Sequence, residues 1–300
     1  MRAPNGGHRH LDQIGAADAG RTVVAYLASR YPLASEGEWR RRIASGEVLL
    51  DGRPAGGDER LLPGQRLAWD RPPWVEPEVP LSTAILYEDQ DLLAVAKPSG
   101  LPTLPGGGEF LEHTLLTLVR RRHPEANPMH RLGRCTSGVV LFAPDAASGR
   151  PLQGAFQAPG TRKVYRALCS GHPASDAFEI TAPIGEVPYA PLGRLHAFHP
   201  AGRPSHSRVS VLDRREDSTL LEVEIRTGRP HQIRIHLAWA GHPLVGDPLY
   251  GPGGTPLEGT RALPGDPGYR LHAHRLELAH PRTGSRVFLE CQPPPPLRVR

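Results

Sequence analysis

Lysine is nearly absent from this 300-residue chain: of 36 basic residues only Lys97 and Lys163 are lysines, the rest being arginines. Such a bias reads first as codon composition. An ammonium is still a compact three-donor cation that a planar guanidinium replaces poorly, so both survivors are candidate site residues. Lys163 stands two residues before Tyr165, and in a strand both side chains leave by one face, setting a cation beside a phenol. Lys97 precedes Pro98 and Gly100, residues suited to a turn. The stretch HRLGRCTSG, 130–138, sets His130, Arg131 and Arg134 around Cys135, where cationic neighbours favour a thiolate. Two carboxylates come into question as substitutes, Asp145, expected as a loop or cap residue, and Asp247, expected in the GDPLYG turn.

Other combinations offer less. Gly106, Gly107 and Gly108 form a glycine run that no Lys-Ser/Thr pair follows, so it is not a nucleotide-phosphate loop. His196 with His199 and His272 with His274 have ligand-like spacing but lack a carboxylate or cysteine cluster, so surface or strand histidines are expected and no metal. Three widely spaced cysteines give neither a disulfide framework nor a zinc pattern.

The elements that must hold these residues follow from periodicity. Residues 1–20, with Gly6, Gly7, Gly15 and Gly20, read as a mobile tail. Residues 21–70 read as a small module: two short helices, around Val23, Val24 and Leu27 and around Trp39 and Ile43, then a strand pair with Val48–Leu50 and Leu67–Trp69 joined through Asp51, Gly52 and Arg53. Four prolines within 71–80 predict a stiff linker and a domain boundary, leaving 81–300 as the larger domain. There, hairpins are expected at 85–95 and 209–225, helices at 113–122 and 230–240, strands at 139–142 and 164–168, and a final pair at 271–278 and 287–289. Residues 101–112, 183–206 and 252–268 read as loops. Many hairpins with few crossovers imply an α+β fold with a mixed, mainly antiparallel sheet flanked by helices.

Four stretches in this order resemble the RluA-like RNA pseudouridine synthases: AVAKPSGLPT at 94–103, HRLGRCTSGVVLFA at 130–143, KVYRALCSG at 163–171, and RTGRPHQIRIHLAWAGHPLVGDPLYG at 226–251. The last is the most specific, and residues 81–290 are covered. The amino-terminal module resembles the small RNA-binding module of a ribosomal small-subunit protein. There the second helix and the following turn face RNA; here they carry Arg40, Arg41, Arg42 and Arg53.

The resemblance implies the pseudouridine synthase catalytic fold, no cofactor, and isomerisation of uridine to pseudouridine in structured RNA, ribosomal or transfer. It further implies that Arg131 contacts the phosphates or enters the space left by a flipped base, that Tyr165 stacks on the uracil, and that Lys163 lines the RNA groove. Arg234 would pair the nucleophilic aspartate, while Lys97, His130, Thr136, Arg229 and His231 support the motifs. The aspartate itself is missing. His130, Arg131 and Leu132 before it and Thr136, Ser137 and Gly138 after it keep their spacing, and Gly133 occupies its slot. Two readings stay open: an active synthase working without that aspartate, and a catalytically inactive RNA binder that keeps the pocket.

Composition agrees with an RNA partner without requiring one: net charge is +5 and pI near 9.4. Hydrophobic content of 38% excludes a disordered chain. No apolar run reaches the ~20 residues that span a bilayer, and no signal pattern opens the chain, so a cytoplasmic protein is expected. Oligomeric state has no signature.

Overall fold

The computed structural model describes residues 3–106 and 108–300, so Gly107 of the glycine run lies outside the described residues. The chain divides into two compact units. One comprises residues up to Pro77 with Gly106–Glu112 and Ala190–Gly193; the other comprises Glu78–Pro105, His113–Tyr189 and Arg194–Arg300.

The first unit is built on β1 (His8–Gln13), α1 (Val23–Arg30), α2 (Glu36–Ala44), β2 (Val48–Leu50), β3 (Arg53–Pro54) and β4 (Arg66–Arg71). Thr22 caps α1, and Ser35 with Glu38 forms a reciprocal capping box on α2, which is why two such short helices start where they do. Val23, Val24, Leu27, Trp39 and Ile43 bury one face of the pair against Val48, Leu50, Leu67 and Trp69 of the sheet. Sheet order is β1-β4-β2-β3, antiparallel throughout. The expected mobile tail is therefore corrected: residues 8–13 pair with β4 along its whole length, and His10 stacks on Trp69 at 4.7 Å. The glycines flank this strand instead of interrupting it.

The second unit contains β5 (Ala84–Glu88), β6 (Leu93–Lys97), α3 (Leu115–Arg120), β7 (Asn127–Pro128), β8 (Ser137–Ala143), α4 (Ala146–Gln157) and β9 (Arg162–Ser170). It continues with β10 (Ala177–Ile180), β11 (Ile184–Tyr189), β12 (Gly193–Phe198), β13 (Ser207–Arg214), β14 (Ser218–Ile225), α5 (Gln232–Trp239), β15 (Leu271–Ala279) and β16 (Arg286–Glu290). Its main sheet runs β10-β13-β14-β9-β15-β8-β6-β5, with β16 on β15 and β7 on β8. Only the β15–β8 pairing is parallel among the described residues, so the fold is α+β with a mainly antiparallel sheet. No helix among the described residues is long and apolar enough to cross a membrane.

β8 is buried along its length because both faces are covered. Val139, Leu141 and Ala143 meet Leu152 and Phe156 of α4, while Val140 and Phe142 meet Leu115, Leu118 and Val119 of α3. On the sheet's other half, Ile233 and Leu237 of α5 pack on Ala167, Leu221 and Val223. One expected loop is corrected: 183–206 contains the strand pair β11–β12. The prolines and glycines that suggest a loop sit in a two-stranded ribbon outside the main sheet, where a missing ladder donor is tolerated.

Candidate active site

The segment 130–136 lies between β7 and β8, and its backbone is clamped by the turn that follows β6. Lys97, 1% exposed, donates from Nζ to the carbonyls of Pro98 (2.9 Å), Leu101 (2.6 Å) and Arg134 (2.9 Å). The Ser99 hydroxyl donates to the Cys135 carbonyl (2.7 Å), the Gly100 amide to the Arg134 carbonyl (2.9 Å), and the Thr103 hydroxyl to the Leu132 carbonyl (2.9 Å). Gly100 takes a φ of 92° there, a region glycine enters without strain. Burial pushes the Lys97 ammonium down to about 7.

Gly133 is exposed at the crest of this loop, and the Thr136 amide donates to its carbonyl (3.0 Å). Gly133 itself offers no carboxylate, and Asp266, close enough to act on Cys135, accepts from the Leu263 amide (2.8 Å). Cys135 is buried, its thiol 3.6 Å from the carbonyls of Gly265 and Asp266, and burial raises its pKa against the cations nearby, so the expected pull toward a thiolate loses to desolvation. Asp145 caps α4 through the Ser148 amide (2.8 Å). Asp247 is the partner of Arg234, whose Nε and Nη2 each donate to one of its oxygens at 2.7 Å, while Nη1 donates to the Pro264 carbonyl at 2.9 Å. Both side chains are almost wholly buried, at 3% and 1% exposure. Burial works to lower the Arg234 pKa, and the bonds and charge of Asp247 outweigh it, leaving it raised. The carboxylate paired with Arg234 is thus Asp247, not a residue of the 130–136 loop, which corrects the expectation that Arg234 would await an aspartate at 133.

Tyr269, which no periodicity flagged, enters the same place. Its ring lies under the Arg234 guanidinium at 4.1 Å, and its hydroxyl is 3.3 Å from the Thr136 hydroxyl. Burial raises its pKa, keeping it a neutral phenol.

Lys163 and Tyr165 leave β9 on one face and line a small recess with His130 and Phe156. The Lys163 ammonium sits 3.8 Å over the Phe156 ring, and His130 stacks on that ring at 4.7 Å. His130 Nε2 accepts from the Leu141 amide (3.1 Å), so its proton is on Nδ1; burial, with Lys163 adding, holds its pKa down to about 3. Tyr165 packs between Val223 and Ala273 on neighbouring strands, and burial raises its pKa to about 12. Its hydroxyl has no hydrogen-bond partner among the described residues.

His231 precedes α5 in the left-handed region, φ 56°, sparsely populated by side-chain-bearing residues. The Tyr250 hydroxyl donates to the His196 carbonyl (2.6 Å), so His231 Nδ1, 2.7 Å away, must donate to Tyr250, leaving His231 Nε2 with its lone pair. Burial and then Arg234 hold His231 down to about 3. Arg229 donates twice to the Pro204 carbonyl, at 3.2 Å each, and anchors a loop. Arg131 is exposed and has no partner among the described residues.

In the first unit, Arg40 pairs with Asp58 (2.9 Å) and Arg53 with Glu59. Arg42 lies over Trp39 and Trp69 at 4.7 and 5.0 Å, and Arg41 is exposed with no side-chain partner among the described residues. Of the spaced histidines, His272 bonds Ser137 Oγ (2.8 Å) and the Cys291 carbonyl (2.9 Å), and His274 bonds that same carbonyl (2.9 Å). The structure also gathers Asp89, Asp91 and His280. Asp89 accepts from the amides of Asp91 and Leu92, from Tyr87 and from His280, and Arg282 donates to Asp91, so this group closes two turns.

Comparison with known proteins gives a consistent family. Residues 91–239 match the profile described as RNA pseudouridylate synthase. The chain is 43% identical to an uncharacterised RNA pseudouridine synthase of Synechocystis, over 92% of this chain and 95% of that protein. It is 31% identical to the ribosomal large subunit pseudouridine synthase D of Neisseria meningitidis, over 92% and 76%. Among solved structures, human RNA pseudouridylate synthase domain containing 1 superposes with a TM-score of 0.58 at 26% identity, covering 74% of this chain and 87% of that one.

Proposed function

The chain belongs to the RNA pseudouridylate synthase family, and we propose that it holds structured RNA with a uridine turned toward the loop of Arg131 and Gly133 but does not attack that uridine by the family's aspartate route. One observation carries this reading: at Gly133 the pocket presents a neutral phenol, Tyr269, and the nearby guanidinium is already satisfied by Asp247. A group that is to attack ribose, or abstract its proton, must be a competent nucleophile or base; beside this loop stand a buried neutral phenol, a buried neutral thiol, a carboxylate locked in a two-point ion pair, the Asp266 carboxylate bonded to the Leu263 amide, and His231, whose pKa is held down to about 3. In a protease worked through by mutagenesis, deleting the nucleophile costs roughly a millionfold in turnover.

Binding keeps its support. Among the described residues Arg131 and Arg41 are exposed cations without side-chain partners, Tyr165 offers a phenol with an unengaged hydroxyl, and the net charge favours phosphate. A relative named for the ribosomal large subunit favours ribosomal over transfer RNA as the partner. The second reading, an active isomerase using a displaced group, is favoured by His231 Nε2, whose lone pair the Tyr250–His196 chain leaves unoccupied.

The test is a map of pseudouridines in cellular RNA from a strain lacking the gene, with and without the native gene restored, alongside crosslinking of RNA to the native protein. We expect crosslinked RNA and no site that depends on the gene. Any uridine converted only when the native gene is present would overturn the binder reading and establish the isomerase.

A further inference from the structure

Gly133 does not need to be glycine for its backbone. It is absent from the residues with positive φ, unlike Gly138, whose φ is 116° and whose added Cβ would lie 2.1 Å from the Ala273 carbonyl oxygen. What Gly133 lacks is space: a Cβ built on it meets the Tyr269 hydroxyl oxygen at 2.7 Å and the Thr136 hydroxyl at 3.5 Å. Carbon and oxygen at the first distance overlap, and no hydrogen bond relieves them, because the Cβ is not a hydrogen-bonding atom. Nor can the ring readily withdraw. Tyr269 is 4% exposed and lies against the Arg234 guanidinium, which is fixed on three sides by Asp247 and Pro264.

We infer that Tyr269 is a second determinant of this pocket's catalytic competence: its hydroxyl occupies the space through which any side chain at 133 must pass, so Gly133 and Tyr269 form a matched pair and neither alone restores a carboxylate. The steric part stands on geometry by itself. The functional part rests on the reading that the native pocket lacks its nucleophile. Reinstating the carboxylate then takes two changes, Gly133→Asp and Tyr269→Phe, the second withdrawing the oxygen that blocks the first.

Two measurements test this. In a thermal-unfolding cycle, Gly133→Ala is expected to lower Tm by about 2–4 °C or more in the native background and by much less beside Tyr269→Phe. Equal losses in the two backgrounds would show that the hydroxyl is no obstacle. In the gene-deletion strain, Gly133→Asp with Tyr269→Phe is expected to yield at least about tenfold more pseudouridine than Gly133→Asp alone, a change of about 1.4 kcal/mol in the barrier. Gly133→Asp alone matching the pair would overturn the inference, as would a doubly substituted protein that folds and crosslinks RNA yet converts no uridine. Pseudouridine made by the native protein would instead refute the binder reading and leave the unfolding cycle to decide the steric claim.

Discussion

At the scale of single residues, Lys97 shows why one of two lysines persists in an arginine-rich chain. Its three N–H donors meet three carbonyls converging in a space with no carboxylate partner, a task for a compact ammonium. Lys97→Met would take the donor from the Pro98 and Leu101 carbonyls, while the Arg134 carbonyl keeps the Gly100 amide, and at about 1–3 kcal/mol for each buried group lost we expect urea unfolding to show at least about 2 kcal/mol less stability. The pH dependence has a definite sign. The folded pKa is about 7 and the unfolded one 10.5, so within that window the unfolded chain binds a proton the folded chain does not. This residue therefore makes stability rise with pH from 7 to 10.5, and Lys97→Met should remove that part of the slope. Tyr165 behaves differently: with its hydroxyl unpartnered, Tyr165→Phe should leave stability within about 0.5 kcal/mol, whereas Tyr165→Ala, which loses the ring and any stacked base, should weaken RNA binding by about 1–3 kcal/mol. Motif spacing in the sequence points to Lys97, Lys163, Tyr165, Gly133 and Arg234 as candidates. It could not locate Tyr269, a loop residue before β15 with no periodic neighbours, nor tell that Asp247 holds Arg234, since both facts depend on side chains meeting across more than ten positions.

At the scale of elements, what the sequence revealed depended on whether local preference and burial agreed. Val139–Phe142 is an apolar run and β8 is buried on both faces; the alternations at 209–225 correspond to β13 and β14. α4 is hidden in the sequence because AASGRPLQGAFQ carries Gly149, Pro151 and Gly154, yet Leu152 and Phe156, four residues apart, both drop into the core beside β8. Tertiary burial there overrides a poor helix sequence. β1 is hidden for a similar reason, its pairing with β4 joining residues about sixty apart. Pro151 lies exposed in the helix interior, where the ring removes one hydrogen bond and crowds the preceding turn. Pro151→Ala should therefore stabilise the protein by about 1–3 kcal/mol, read as a higher urea midpoint with an unchanged slope.

At the scale of the whole molecule, the charges that matter for RNA are those not already spent on the protein's own carboxylates. The net charge of +5 is modest, but its pairing is uneven. Arg40 and Arg53 are held by Asp58 and Glu59, so a phosphate must compete with a carboxylate for each; Arg41 and Arg131 face solvent with no such competitor among the described residues. If each unpaired arginine meets one phosphate, its removal deletes one counterion-release step, worth about 0.7–0.9 in the slope of log K against log salt. Arg41→Ala and Arg131→Ala should each flatten the slope by about that amount, measured by filter binding to ribosomal RNA from the gene-deletion strain. Arg40→Ala should flatten it less, because it removes a cation whose charge Asp58 already offsets and leaves that carboxylate to repel the RNA. A loss of affinity for Arg40→Ala with an undiminished slope would identify that repulsion. Equal flattening by all three would mean that RNA opens the Arg40–Asp58 pair on binding, and that resting-state pairing does not select which arginines the RNA uses.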